Sequence, residues 1–447
     1  MFNSIKTVFH GFLKTLSIAP CLIALVTVFL FVPTTTDSEQ PEVRLEIRTS
    51  EAISIRIYVA RFASLGPGGL GKSAADFEKI VGSDLQLSGF FEMMKVPTGD
   101  INAFLDGFKN KAGSKEEVLV EGRVSAEEDK IVFEGRVYDI DGRKTIMNKR
   151  YKFAGRALRR AAHLFSDEIV LQLTGERGIA STCVAFVSNV SGTKEIHVMD
   201  YDGYGNKQVT MERSICLSPR WSPDGQRIAY TSYSSGNPDL HAVGRYGGRP
   251  SVLSAYRGLN SSPAWSPDGR KIALTLTKDG NAEIYVMNAD GSGLRRLTSH
   301  PAIDSSPSWS PSGRQIAFTS DRSGRPQIYM MEADGSNVRR FTFAGSYNDS
   351  PAWSPKGDRI TYASRIGNNF ELSVVDIAGA NPFQLTSGNG NNENPSWSPD
   401  GRQIVFSSSR GGKRDIYVMN ADGSNVRRLT SQGENFDPSW SPRPGEE

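Results

Sequence analysis

The sequence is poor in the residues that most reactive sites need. It carries five histidines and three cysteines in 447 residues. Four of those histidines (His163, His197, His241 and His300) lie beyond the apolar leader and are scattered over separate segments. That spacing argues against the clustered ligands of metal or lyase chemistry. No Gly-x-Ser-x-Gly elbow occurs, which argues against a serine hydrolase. Net charge is also nearly absent. There are 52 Lys and Arg against 49 Asp and Glu, and setting aside Lys6 and Lys14 of the leader leaves 50 against 49. Nothing in that balance favours nucleic acid. Cys21 lies in the leader, while Cys183 and Cys216 are expected near opposite ends of neighbouring blades, as two mostly buried free thiols rather than a disulfide.

Long apolar runs are equally scarce. The one present, Leu16 to Val32, is broken only by Ser17, Pro20 and Thr27, and follows Lys6 and Lys14. It reads as an export signal, with residues 1–36 as signal and leader. Its 17 residues sit at the short edge of a spanning helix, so an uncleaved anchor is the alternative. Pro20 stands where a lipoprotein site before Cys21 wants a small residue.

What the sequence does have is a repeat. All six tryptophans open a Trp-Ser-Pro, at Trp221, Trp265, Trp309, Trp353, Trp397 and Trp440, with steps of 44, 44, 44, 44 and 43 residues. Such a period with strand-like content is the mark of a four-stranded propeller blade. In the unit from Asp304 to Thr342, four short β-rich runs are separated by Pro311-Ser312-Gly313, Ser323-Gly324-Arg325-Pro326 and Asp334-Gly335. These are hairpin turns, and Ser222-Pro223-Asp224-Gly225 suits a type I turn. Each Trp is expected as a wedge between blades. Only seven residues follow Trp440, so the last repeat has a first strand alone. Its missing strands are 184–187, 195–199 and 207–210, and closure requires residues 437–442 to pair beside 184–187.

Residues 37–177 lack the repeat and read as an α+β domain, with the six-bladed all-β propeller occupying 178–447. Strands are expected at 43–47, 53–62, 117–124, 130–140 and 145–153. A helix is expected over 76–91 with Ser73 as N-cap, and another over 156–174 with Leu164, Ile169, Leu171 and Leu173 on its apolar face and Gly175 ending it. His163 is expected to be structural. Gly66 to Gly71 with Lys72-Ser73 matches a phosphate loop only at Gly-Lys-Ser and reads as a plain loop.

Leader, small α+β domain and six Trp-Ser-Pro repeats, in that order, resemble the TolB family of the Tol–Pal system. Glu42-Val43-Arg44-Leu45 resembles the start of the family's mature chain, and Ala162-His163 with Ser166-Asp167-Glu168 and Leu173-Thr174-Gly175 resembles its interdomain helix. Asp200-Tyr201-Asp202-Gly203-Tyr204 and Gly324 to Tyr329 resemble two propeller segments. The resemblance implies a non-enzymatic, monomeric periplasmic adaptor without a cofactor. Its partners would be Pal, a peptidoglycan-associated lipoprotein, and inner-membrane Tol proteins such as TolA. The role implied is envelope integrity and constriction at division. The leading strand Glu42 to Leu45 would regulate the channel, whose mouth colicins exploit in some relatives.

The residues point to the same mouth. The positions just before each Trp-Ser-Pro are expected to ring the channel: Asn260-Ser261-Ser262, Asp304-Ser305-Ser306, Asn348-Asp349-Ser350, Asn392-Glu393-Asn394 and Asn435-Phe436-Asp437. Such short polar groups can bond a partner without moving. The carboxylates of Asp304, Asp349, Glu393 and Asp437 would favour a basic partner segment or a calcium ion. The sixth copy, Cys216-Leu217-Ser218, departs from the polar rule. The alternatives are a propeller that binds a glycan or small ligand, or a propeller-type lyase.

Overall fold

The computed structural model describes residues 55–66, 70–96, 117–140, 142, 144–379, 382–388 and 390–445. The expected leader and the strand at Glu42 to Leu45 lie outside them.

The non-repeating part begins with β1 (Ile55–Val59) and β2 (Ala63–Leu65), followed by α1 (Leu70–Ser88) and β3 (Phe91–Met94). After these come β4 (Glu117–Glu127), β5 (Lys130–Asp139), β6 (Lys144–Phe153) and α2 (Leu158–Thr174). The sheet runs β3-β1-β4-β5-β6, with β2 also beside β4. Pairs among β1 to β4 are parallel, and the β4-β5-β6 meander is antiparallel. One face carries both helices. Phe77, Val81 and Leu85 of α1 and Phe165 and Ile169 of α2 pack on Val120, Val124, Phe133 and Val137. Phe77 stacks on Phe133 at 3.7 Å.

Three local expectations need correction. Ser73 lies inside α1 rather than capping it, because Leu70 and Ala74 carry the apolar stripe one turn further back. Phe91 is not helical: Gly89 adopts φ 71° and turns the chain, and Phe91 enters β3 opposite Ile55. On α2, Leu171 is exposed and Leu164 half-buried, and the buried face is Ala161, Ala162, Phe165, Ile169 and Val170. Gly175 ends α2 in the left-handed conformation, its amide donating to the Leu171 carbonyl at 2.9 Å.

The repeats form six antiparallel four-stranded blades. Numbered by their innermost strands, these are blade one (Cys216–Trp221), two (Asn260–Trp265), three (Asp304–Trp309), four (Asn348–Trp353), five (Asn392–Trp397) and six (Asn435–Trp440). Blade six is completed by Cys183–Ser188, Glu195–Asp200 and Lys207–Gln208, with Trp440 opposite Val184 and Asn435 opposite Ser188. The ring is therefore closed by strands from its two ends.

Each seam between blades is apolar. Ala273, Ile284 and Val286 of blade two pack with Trp309, Ile316, Phe318 and Tyr329 of blade three. The Trp309 indole also donates to the Ala264 carbonyl of blade two at 3.1 Å, and Trp265 and Trp397 repeat that bond. The Asp-Gly hairpins press on the same seam. Gly423 has φ 87°, and a Cβ there would fall 2.5 Å from the Leu385 carbonyl of the preceding blade, so only glycine fits.

The outermost strand has two residues in five of the six blades. It is short because a threonine takes over its pairing: the Ile328 amide donates to Thr342 Oγ1 at 2.9 Å, and that hydroxyl donates on to Gln327 Oε1. Thr210–Glu195, Thr298–Glu283, Thr386–Glu371 and Thr430–Asp415 repeat the latch. Cys183 and Cys216 are free, the first half-buried and the second buried. No helix among the described residues is long and apolar enough to cross a membrane.

Candidate partner site at the open mouth of the propeller

Among the described residues, the helical layer meets only one of the two ends of the channel. At the Trp-Ser-Pro-Asp-Gly end, Gln403 Nε2 donates to the Leu87 carbonyl at 2.8 Å, and the Arg402 guanidinium lies 3.9 Å over the Phe90 ring. The opposite end, where the innermost strands begin, receives the connections from outer strands. Between them runs a channel of about 380 Å³ walled by the prolines and tryptophans of the repeat and by Ser218, Ser262, Ser306, Ser350, Asn394 and Asp437.

Those six residues share a strained conformation. All have φ between 50 and 58°, a left-handed backbone that non-glycine residues rarely adopt. Each sits in a bulge where the innermost strand slips register against the next, as between Ser305 and Ser308. Neighbouring blades hold the bulges: the Asp437 amide donates to Ser407 Oγ at 2.8 Å, and Ser306 and Ser350 amides reach Thr275 and Thr319 hydroxyls at 3.3 Å. The Asp437 carboxylate in turn accepts from the Ser218 amide and hydroxyl at 2.9 and 3.0 Å, joining blades six and one.

The expected triplets therefore divide by position. The third residues, Ser262, Ser306 and Asp437 among them, face the channel. The second residues, Ser261, Ser305, Asp349 and Glu393, are half-buried at the mouth. The first residues do not ring the channel at all. Asn260, Asp304, Asn348 and Asn392 are buried, and Asn348 and Asn392 complete the threonine latch of the preceding blade. Asn348 Nδ2 donates to Gln327 Oε1 at 2.9 Å and Asn392 Nδ2 to Glu371 Oε2 at 2.8 Å. Asn260 is bound by the Ser254 hydroxyl at 2.7 Å and by carbonyls of its own loop. Asp304 is fully enclosed and paired with Arg322 at 2.7 Å, and burial pushes its carboxyl pKa up against the opposing pull of Ser320 and Arg322. It is not part of an acidic rim.

The remaining acids lie on one side, on blades four to six. Burial raises the Glu393 pKa; Arg414, 3.5 Å away, opposes this, while Asp349 and Asp437 raise it further. Glu393 thus senses the other two carboxylates. Arg220 lies 3.7 Å from Asp437, and Asp349 accepts from the Thr319 hydroxyl at 2.7 Å. Among the described residues no three acids, histidines or cysteines converge into a group able to hold a metal ion. Beside the acids stand aromatics beyond the expected Phe436. Tyr347, which directly precedes the Asn348 triplet, meets Phe370 edge-on at 5.3 Å. Aligning the repeats one residue earlier would have found Tyr347.

Apolar side chains surround this mouth. Met211, Phe343 and Ile303 are 78, 75 and 54% exposed, and Ile215 and Tyr256 are also exposed, all in connections from an outer strand to the next innermost strand. Exposed apolar side chains grouped beside polar ones are a feature of protein-docking surfaces.

A family model described as the TolB beta propeller domain matches residues 170–444, more than half of the chain. The chain belongs to the TolB family. It is 42% identical to the Tol-Pal system protein TolB of Geobacter sulfurreducens over 223 residues, 48% of this chain and 50% of that protein. It is 38% identical to the Protein TolB homolog of Chlorobaculum tepidum over 211 residues, 47% of this chain and 48% of that one. The chain thus spans about half the length of the curated relatives it matches. The crystal structure of TolB from Acinetobacter baumannii superposes with a TM-score of 0.74 at 28% identity, covering 87% of this chain and 97% of that one. The two-part architecture is therefore that of a TolB.

His163 takes a structural place at the junction between helices and ring. Its Nδ1 lies 2.8 Å from Asp84 Oδ2 of α1, and the Tyr201 hydroxyl of the propeller donates to the other Asp84 oxygen at 2.9 Å. Arg159 bridges Asp200 and Asp202 at 3.0 and 2.7 Å. Burial acts to lower the His163 pKa, but the Asp200 and Asp84 carboxylates outweigh it and lift the imidazole to about 9.

Proposed function

We propose that the protein is a non-enzymatic periplasmic adaptor of a Tol–Pal system. The open mouth binds a Pal-type peptidoglycan-associated lipoprotein, and the α+β part with its leading strand Glu42 to Leu45 links that lipoprotein to inner-membrane Tol proteins such as TolA. The observation that carries this reading is the mouth itself. Six bulged residues, four of them bonded to a neighbouring blade, a one-sided trio of acids and a surround of exposed apolar side chains suit a protein partner that brings basic and apolar groups. A rigid rim loses little conformational entropy on binding. Membership of the TolB family supports the same assignment, as does the absence of a Gly-x-Ser-x-Gly elbow for a non-catalytic role.

Pull-down from the native envelope tests it. Wild type is expected to recover a peptidoglycan-associated lipoprotein, and Asp349→Ala/Glu393→Ala to lose it, each rim acid contributing on the order of 1–2 kcal/mol. Recovery by both proteins would keep the adaptor role and move the site. Recovery by neither, with the protein folded, would sink the assignment in favour of a ligand-binding propeller.

A further inference from the structure

A second cavity lies far from the mouth, between the two helices and the closing blade. Its volume is about 1460 Å³, and its walls come from the first halves of α1 and α2, the outer strands of blade six and the Arg245-Tyr246 hairpin of blade one. Pockets for single small molecules run to roughly 300–1,000 Å³, so this cleft has room for an extended ligand.

Its charge is strongly one-sided in a protein that is otherwise balanced. Lys72, Lys79, Arg156, Arg160, Lys207 and Arg245 all line it, and among the described residues none of them is paired with a carboxylate. The cleft's own acids are Asp76, Asp200 and Asp202, and the last two are already bound by Arg159. Cations held together without counter-charges form a standing attraction for an anion. They come from both helices, blade six and blade one, so they are spread along the walls rather than gathered at one point. A single phosphate could meet only some of them; an extended polyanion could meet most.

The floor decides the class of polyanion. Ile80, Ile131, Leu158 and Val198 give the cleft apolar ground between the cations. Its two rim tyrosines, Tyr204 and Tyr246, are 60 and 82% exposed, but guanidinium groups cover them, Arg159 at 4.0 Å and Arg245 at 5.0 Å from the ring centres. A guanidinium thus occupies one face of each ring. Tyr246 holds Arg245, which is paired with no carboxylate among the described residues and can offer its guanidinium fork to one.

We propose that this cleft is a docking groove for an extended acidic peptide segment of a partner protein, one in which carboxylates alternate with apolar side chains. The site is separate from the mouth and stands whether or not the mouth binds a lipoprotein.

The test uses the full chain and a fluorescent peptide in which glutamate alternates with leucine and alanine, read by anisotropy. The expected result is saturable binding that weakens about tenfold or more in Arg160→Glu/Lys207→Glu. Arg325→Glu/Arg339→Glu, the same charge change on exposed residues of blade three, is expected to stay within about twofold. Both Arg160 and Lys207 are exposed, so the reversal leaves the core intact, and circular dichroism checks this. Equal weakening by both double variants would reduce the effect to overall charge and overturn the proposal. So would equal binding of the glutamine version of the peptide, or binding of an oligogalacturonate with no binding of the peptide.

Discussion

The seams between blades and the junction between ring and helices are both buried interfaces, yet they are built from opposite materials. A seam is tryptophan, isoleucine, valine and phenylalanine, repeated around the ring. The junction is Asp84, His163, Tyr201, Arg159, Asp200 and Asp202, assembled once, with Leu87 as its small apolar share. Apolar burial is indifferent to pH and direction, whereas a buried ion network depends on both. The ring is therefore expected to behave as one hard body across conditions. The junction is the place where the molecule responds.

The largest effect should come from removing the closing strand. A chain ending before Asn435 leaves the Cys183–Ser188 strand without its partner and strips Trp440 from its packing on Val184, Val405 and Val418. Loss of a single cooperative denaturant transition and rapid proteolysis of the propeller are expected. Retention of wild-type cooperativity would break the claim that the ring is one body.

Next in size is Trp309→Ala, which empties a seam and frees the Ala264 carbonyl. A loss of about 3–5 kcal/mol is expected, the same at pH 7 and pH 10. A clear pH dependence of this loss would erase the contrast with the junction.

His163→Ala should show the opposite signature. A histidine held at about 9, against an ordinary 6.5, contributes fully below pH 6.5 and loses that contribution as pH rises through 9. The variant is expected to cost up to about 3 kcal/mol at pH 7 and much less at pH 10. NMR titration of the imidazole in the wild type provides the independent check, and a value near 6.5 would sink the argument.

The smallest effect sharpens the difference between stability and binding. Glu393 has a raised pKa, so its contribution is favourable only when protonated and is lost as pH rises past that value. At neutral pH, Glu393→Gln is expected to leave the free protein unchanged or stabilise it by less than about 1 kcal/mol. The same variant should weaken lipoprotein capture. Destabilisation together with intact capture would assign Glu393 to structure.

The ring was legible because its evidence is periodic. Six Trp-Ser-Pro copies at five nearly constant steps, and a last repeat with one strand, point to both the blade count and the closure. The mouth was legible only in part. Asn260, Asp304, Asn348 and Asn392 read from sequence as rim or turn residues, because a short polar side chain looks the same whether it caps a turn or bolts two blades together. What distinguishes them is the threonine at the end of the preceding repeat and the acid or glutamine opening its third strand, such as Thr386 with Glu371. That signal was in five of the six repeats, with Ser254 in the other, but becomes a latch only once strands are paired. Of the junction, only the structural place of His163 was legible; its partners were not. His163 and Tyr201 lie 79 and 117 residues from the aspartate they share, Asp84, and no local pattern joins them.

The closing strand has one further consequence. Its bond from the Cys183 amide to Ser441 Oγ spans 258 residues, so the ring is the last thing the chain can finish. The same strand carries Phe436 and Asp437, the sixth side of the mouth, and Asp437 ties down Ser218 across the gap. Completion of the fold and completion of the site are thus one event. A nicked or prematurely ended chain is therefore expected to lose the closed ring and this side of the mouth together.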